Sequence, residues 1–195
     1  YSKIYVNWLS GGGQAAVASA HVTQYSVGLR DSGIASGAAP LSPRAFSQGV
    51  DTILSSISLT LPENIEILRL TGSDDLSGVG NRANNTIVGN DGANLLDGGG
   101  GLDLLYGGLG DDTYVVRDAE TYIEEGADGG VDTVLTFMAS HVLGGNFENV
   151  TYLGSAAFDG TGNASGNRML GGSGADVLRG LAGDDFLFGG DGDDV

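Results

Sequence analysis

The chain repeats itself every nine residues. Eight units that open with glycine fall in two runs of four. The first run reads GNRANNTIV, GNDGANLLD, GGGGLDLLY and GGLGDDTYV, from Gly80 to Val115. The second reads GNASGNRML, GGSGADVLR, GLAGDDFLF and GGDGDDV, from Gly162 to Val195. Beneath them lies the pattern G-G-x-G-x-D-x-U-x, with U a large apolar residue. Nine residues bury no core of their own, so such units have to stack on one another, and a solenoid is the architecture open to them.

Within each unit the first six residues are predicted to turn and the last three to form a strand. Position 8 then points inward, where Ile87, Leu96, Leu105, Tyr114, Met169, Leu178 and Leu187 stand. Glycine leads every unit because the turns need positive φ and close backbone approach. Two units complete one coil of 18 residues, so each unit stacks on the next but one. The expected fold class is all-β, a parallel β-roll built from the nonapeptides with β-rich flanking cassettes. No long amphipathic helical period is present.

The cassettes form a second, longer repeat. Residues 50–81, VDTILSSISLTLPENIEILRLTGSDDLSGVGN, match 131–163, VDTVLTFMASHVLGGNFENVTYLGSAAFDGTGN, so that Asn64 pairs with Asn146 and Gly72 with Gly154. DTIL, IEILRL, DTVLTF and NVTYL are rich in β-branched and aromatic residues between Gly, Asn and Ser, which marks strands. TYVV and TYI, in the connector between the copies, read the same way. Three segments follow: a non-repeat segment 1–49; 50–130, with a cassette, the first run (80–115) and the connector; and 131–195, with the second cassette and the second run (162–195). The last unit stops at its seventh position, which predicts that the chain is part of something longer. Residues 1–49 carry Trp8, a GGG at 11–13 and AAVASAHV, a short helix or another strand. They lack the G-x-G-x-x-G spacing of a nucleotide site.

Stacking turns position 6 into a ladder of side-chain oxygens about 4.8 Å apart. Its occupants are Asn85, Asn94, Asp103 and Asp112, then Asn167, Asp176, Asp185 and Asp194. Two carboxylates at that range repel by about 3–4 kcal/mol at an effective dielectric near 20. A divalent cation reverses the sign. Calcium takes six to eight oxygens in irregular geometry, whereas magnesium demands a tighter octahedron and zinc prefers His and Cys. The predicted ligands are Asn94, Asp103, Asp112, Asp176, Asp185 and Asp194, with backbone carbonyls from the turns at Gly99, Gly101, Gly108, Gly110, Gly172, Gly174, Gly190 and Gly192. The stacked pairs are Asn85 with Asp103, Asn94 with Asp112, Asn167 with Asp185, and Asp176 with Asp194. The last alone has two aspartates. Ala83 replaces a glycine beside Asn85, and Leu181 replaces one in the unit of Asp185. The other reading of the asparagine units is a metal-free coil closed by side-chain hydrogen bonds.

Composition agrees with a cation as the partner. With 8 basic against 25 acidic residues the net charge is −17, which disfavours nucleic acid and anionic membranes because both demand basic patches. No apolar run is long enough for a transmembrane helix, so no membrane insertion is expected. YSKIYVNWLS lacks the features of a signal peptide. The absence of cysteine removes disulfides and thiol chemistry.

These units resemble the RTX (repeat-in-toxin) family, with similarity over roughly 50–195 and GGSGADVLR and GGLGDDTYV closest to the consensus. The resemblance implies a right-handed parallel β-roll with calcium between successive turns. It also implies export by a type I secretion system and folding outside the cell on meeting calcium. The expected function is a calcium-binding module of a secreted or cell-surface bacterial protein. Two alternatives stand beside it: a calcium-dependent surface-layer or adhesin component, and the carboxyl part of a secreted hydrolase or epimerase. Self-association or association with other extracellular proteins stays open.

No enzymatic activity is expected. His21 and His141 belong to no H-E-x-x-H motif. GGSGA at 171–175 falls short of a nucleophile elbow, so Ser173 reads as a turn residue. Glu124 and Glu125 form an acidic pair read as a solvated edge, since neighbouring strand residues face opposite ways.

Overall fold

The structure, a computed structural model, describes residues 50–195 together with the backbone of 3–8 and 16–19. These hold eighteen strands and no helix. A seven-stranded sheet runs in the order β2 (Ala16–Ser19), β1 (Lys3–Trp8), β3 (Asp51–Ser55), β5 (Ile67–Leu70), β7 (Thr86–Val88), β9 (Leu104–Tyr106), β11 (Tyr122–Glu124). An eight-stranded sheet runs β4 (Leu59–Thr60), β6 (Ser77–Val79), β8 (Leu95–Asp97), β10 (Thr113–Val116), β12 (Thr133–Thr136), β14 (Asn149–Tyr152), β16 (Arg168–Gly172), β18 (Phe186–Gly190). The third sheet has three strands, β13 (Ser140–Val142), β15 (Asp159–Thr161) and β17 (Val177–Arg179).

From β3 onward every strand pair is parallel, and consecutive strands alternate between faces, which is the path of a parallel β-roll. Thr86 lies opposite Leu104 and Leu95 opposite Thr113, the 18-residue coil that the period predicts. The strands occupy positions 7 to 9 of each unit, as expected. The cassettes are coils of the same roll: β3 and β5 continue the sheet of β7 and β9, and β12 and β14 join β10 to β16. Only β1 differs, lying antiparallel to β2 and to β3, with Trp8 opposite Asp51. Ala16–Ser19, within the alanine-rich stretch, is the strand β2. The GGG and His21 lie outside the described residues.

Position 8 makes the core. Ile87, Leu96, Leu105, Tyr114 and Met169 are wholly buried, each contributing about 1.5–3 kcal/mol by removal from water. Leu187, in the terminal coil with no coil stacked over it, keeps 43% of its surface. The cassettes add Ile65, Leu68, Val134, Phe147, Val150 and Phe158. Tyr114 meets Phe147 edge-on at 5.4 Å, and Tyr152 stacks on Phe158 at 4.8 Å. The long repeat holds down to the backbone: Asn64 and Asn146 both adopt the left-handed region, with φ 66° and 64°.

Candidate metal centre

Each turn ends at position 6, immediately before its strand, and this places the position-6 side chain against the turn of the preceding coil. All four predicted pairs are stacked. Oδ1 of Asp103 accepts the Asn85 N–H at 2.8 Å, and Oδ1 of Asp112 the Asn94 N–H at 2.7 Å. Asp185 takes the Asn167 N–H at 2.8 Å, and Asp194 the Asp176 N–H at 2.9 Å. The ladder also runs into the cassettes. Asp132 accepts the Asp112 N–H and Asp176 the Phe158 N–H, both at 2.8 Å. Glu148 accepts the Asp132 N–H and Glu66 the Asp51 N–H, both at 2.9 Å.

One carboxylate oxygen is thus spent on the backbone, and the other is left over. Oδ2 of Asp51, Asp103, Asp112, Asp132 and Asp176 is buried and meets no hydrogen-bond donor. A buried polar atom without a partner is costly, more so when charged. The cost shows in the acidities. Burial, opposed by the Asn85 N–H and reinforced by Asp118 and Asp97, pushes Asp103 up to about 6. Burial likewise raises Asp112 and Asp132 to about 7, with Glu125 the first acidic neighbour adding to both. Asp51 is raised by burial and by Glu66.

The geometry around these oxygens fits a cation. At the first glycine of the unit an added Cβ would run into the free Oδ2 of the same unit: Gly98 against Asp103, Gly107 against Asp112, Gly171 against Asp176. Oxygen acceptors converging on a space that no side chain fills, with no nitrogen or sulfur ligand among them, are the donor set of a hard divalent ion such as calcium. Of the eight predicted carbonyl-bearing glycines, all but Gly174 have positive φ, from +88° at Gly99 to +131° at Gly192. Gly174 shares with most of them the close approach to the backbone of the coil before, at Ala156 and Ala157.

Asparagine at the same position behaves differently. Oδ1 of Asn85 accepts the Asn81 N–H at 2.7 Å and its Nδ2 donates to Ile65 O at 2.9 Å. Asn94 accepts from the Asn90 N–H at 2.7 Å and donates to Asn90 Oδ1 at 2.8 Å. Asn167 accepts the Asn163 N–H at 2.8 Å and donates to Phe147 O at 3.1 Å. These are the hydrogen bonds of the metal-free alternative, and Asn94, a predicted ligand, makes them too. Leu181 adopts φ 74° in the place of a glycine, and its unit still stacks Asp185 on Asn167.

Several acidic residues escaped the nonapeptide period. Asp132, Glu125, Glu148, Asp51 and Glu66 all join or flank the ladder. A signal for Asp132 exists, since VDTVL repeats the ending DDTYV that carries Asp112. Glu125 corrects an expectation: Glu124 is exposed, but Glu125 keeps only 7% of its surface and is no solvated edge. The chain leaves β11 after Glu124 and turns Glu125 inward, where the Tyr114 hydroxyl donates to its Oε1. Asp112, Glu125 and Asp132 bring carboxylate oxygens within 4.8 Å of one another. His141 is partly buried, its Nε2 lacks a partner, and burial lowers its basicity.

No curated protein and no solved structure matches the chain. Residues 79–114 and 161–195 match the RTX calcium-binding nonapeptide repeat, in four copies. The matched segments are the two runs in which the ladder was found, while the cassettes around them are unmatched. The two runs are thus RTX calcium-binding nonapeptide repeats.

Proposed function

We propose that this chain is a non-catalytic calcium-binding module of a secreted or cell-surface bacterial protein, folding outside the cell when it meets calcium. The carrying observation is the row of buried aspartate Oδ2 atoms that face a glycine cradle and have no donor. Asp103, Asp112, Asp176, Asp185 and Asp194 would hold the ions, with turn carbonyls completing the oxygen set. Bound calcium supplies the positive charge that the stacked carboxylates lack, and extracellular modules work at millimolar levels of the ion.

The residues do the rest. Oδ1 of each aspartate fixes the register of the coil before it, glycine keeps the cradle open, and the position-8 side chains wait beneath to be covered. Calorimetric titration of the metal-free chain with calcium, followed in parallel by circular dichroism, tests the reading. Saturable binding of several ions with a cooperative gain of β-structure is expected. Identical spectra in chelator and in excess calcium, with no heat of binding, would refute it. Analytical ultracentrifugation in calcium then separates a monomeric module from a lattice component, which would grow in mass.

A further inference from the structure

The first nonapeptide run meets the second cassette at a cluster of carboxylates that the repeat pattern does not describe. Asp112 ends the turn in the last unit of the first run. Glu125 follows β11, and Asp132 precedes β12. Their side-chain oxygens lie within 4.8 Å of one another, and all three residues are buried. Oδ2 of Asp112 and Oδ2 of Asp132 have no donor, although the residues are only 1% and 0% exposed. They also aim at shared space. A Cβ on Gly107 would meet Asp112 Oδ2 and Glu125 Oε1 together, and one on Gly129 would meet Glu125 Oε2 at 2.6 Å and Asp132 Oδ2 at 3.1 Å. The ion pairs found among the described residues, Arg117 with Asp97 and Arg179 with Asp159, do not involve the cluster.

We propose that Asp112, Glu125 and Asp132 form a calcium site at the joint between the two runs, built from one repeat residue and two residues outside the repeat. The inference rests on the calcium reading above. Three carboxylates, two of them with an oxygen left over and none with a basic partner, suit a hard divalent cation. The surroundings hold the ligands in place. Tyr114, in the inward position that other units give to an aliphatic residue or Met, donates its hydroxyl to Glu125, and the Gly126 N–H donates to Glu125 Oε2 at 3.1 Å. Asn146 of the second cassette donates to the Glu125 carbonyl at 3.0 Å, and Glu148 holds the Asp132 N–H at 2.9 Å. The ion therefore ties the first run to the second cassette. In the first cassette Asp51 and Glu66 repeat the Asp132–Glu148 pair, but the described residues supply no Asp112 or Glu125 counterpart beneath it.

The test uses the whole chain with calcium and, as a luminescent probe, terbium. Glu125→Gln and Asp132→Asn should each bind one calcium ion fewer than the wild type. Both should melt higher than the wild type in chelator and lower in excess calcium, because each removes a buried charge that only the ion compensates. Tyr114→Phe should keep the ion count yet lower tyrosine-sensitised terbium emission severalfold, and Asp176→Asn should lose a different ion while keeping that emission. An unchanged ion count in both Glu125→Gln and Asp132→Asn overturns the site, as does a lower melting temperature in chelator and calcium alike. If Asp176→Asn loses an ion and those two do not, only this site falls. If the wild type binds no calcium, the proposed function falls with it.

Discussion

Asn85 and Asp103 hold the same position of the repeat one coil apart, and each reaches back to the coil before it, one as a donor and the other as an acceptor. Asp103 Oδ1 reaches back to the Asn85 N–H at 2.8 Å, while Asn85 turns its Nδ2 to Ile65 O, in the coil before, at 2.9 Å. An amide carries a donor and an acceptor, so it closes its rung on the backbone. A carboxylate carries only acceptors, so one oxygen is left facing the glycine. Position 6 thus has two settings, closed with asparagine and open with aspartate.

The two settings respond to substitution in different ways. Asn85→Ala leaves the Asn81 N–H without its side-chain partner and takes from the Ile65 carbonyl one of its two amide donors, the other being Asn81 Nδ2, a loss of about 1–3 kcal/mol. It should be the same with calcium and with chelator. Asp176→Asn should instead weaken calcium binding and stabilise the metal-free chain. Thermal melts of both variants under both conditions check this, and an Asn85→Ala effect that vanishes in chelator would contradict it.

Calcium removal should undo the runs. A ligand that binds the folded chain alone stabilises it by RT ln(1 + [L]/Kd), about 2.7 kcal/mol per site at a hundredfold excess. Several sites together match the whole stability of an ordinary domain. Chelation should therefore lower the melting temperature of the runs and weaken their β-sheet circular dichroism, and calcium should restore both cooperatively. Amide exchange resolved along the chain would locate the loss at 80–115 and 162–195, and equal protection in both conditions would refute it.

Acidity offers a second handle. Without metal, Asp103, Asp112 and Asp132 keep their protons to about 6, 7 and 7, whereas an unfolded chain releases them near pH 3.9. The groups facing them are acidic too: Asp118 and Asp97 at Asp103, Glu125 and Asp132 at Asp112, Glu125, Glu148 and Asp111 at Asp132. Between about pH 4 and pH 7 the folded chain binds more protons than the unfolded one, so metal-free stability is greatest below that window and falls as pH rises through it. The metal-free chain should melt higher at pH 5 than at pH 7.5. In saturating calcium the order should reverse, since protons compete with the ion. Scanning calorimetry at the two pH values decides it.

Gly110→Ala probes the turns without touching a carboxylate. Gly110 has φ +106°, and a Cβ there would press on the Gly92 backbone at 2.7 Å. Strain of about 1–3 kcal/mol is expected, in calcium and in chelator, with calcium affinity falling only as far as the fold does. A change in ion count without a change in melting temperature would count against this.

The fold was almost wholly legible because a nine-residue period fixes strand, turn and inward face together. Strands at DTIL, DTVL and NVTY followed from their β-branched residues, and the position-6 pairs followed from the 18-residue coil. Glu125 was not legible. It sits outside any period, and the alternation that puts Glu124 in solvent turns Glu125 inward just past the end of β11, where no repeat marks an inward position. Asp132 was half legible, hidden because Ala127 and Asp128 stand where the two leading glycines of a unit normally announce its position. Which oxygens lack a donor is a matter of rotamer and stacking, and no one-dimensional pattern carries it.

The eight-stranded sheet runs unbroken from β4 to β18, while on the other side the ladder stops at β11 and a fresh one starts at β13. The molecule is therefore a zip with one continuous row of teeth and one interrupted row. In a solenoid each coil leans only on its neighbours, so separation ordinarily begins at the ends. Here the interruption is a third starting point, midway along, and a chain pulled or heated should part there into two halves hinged on β10, β12 and β14.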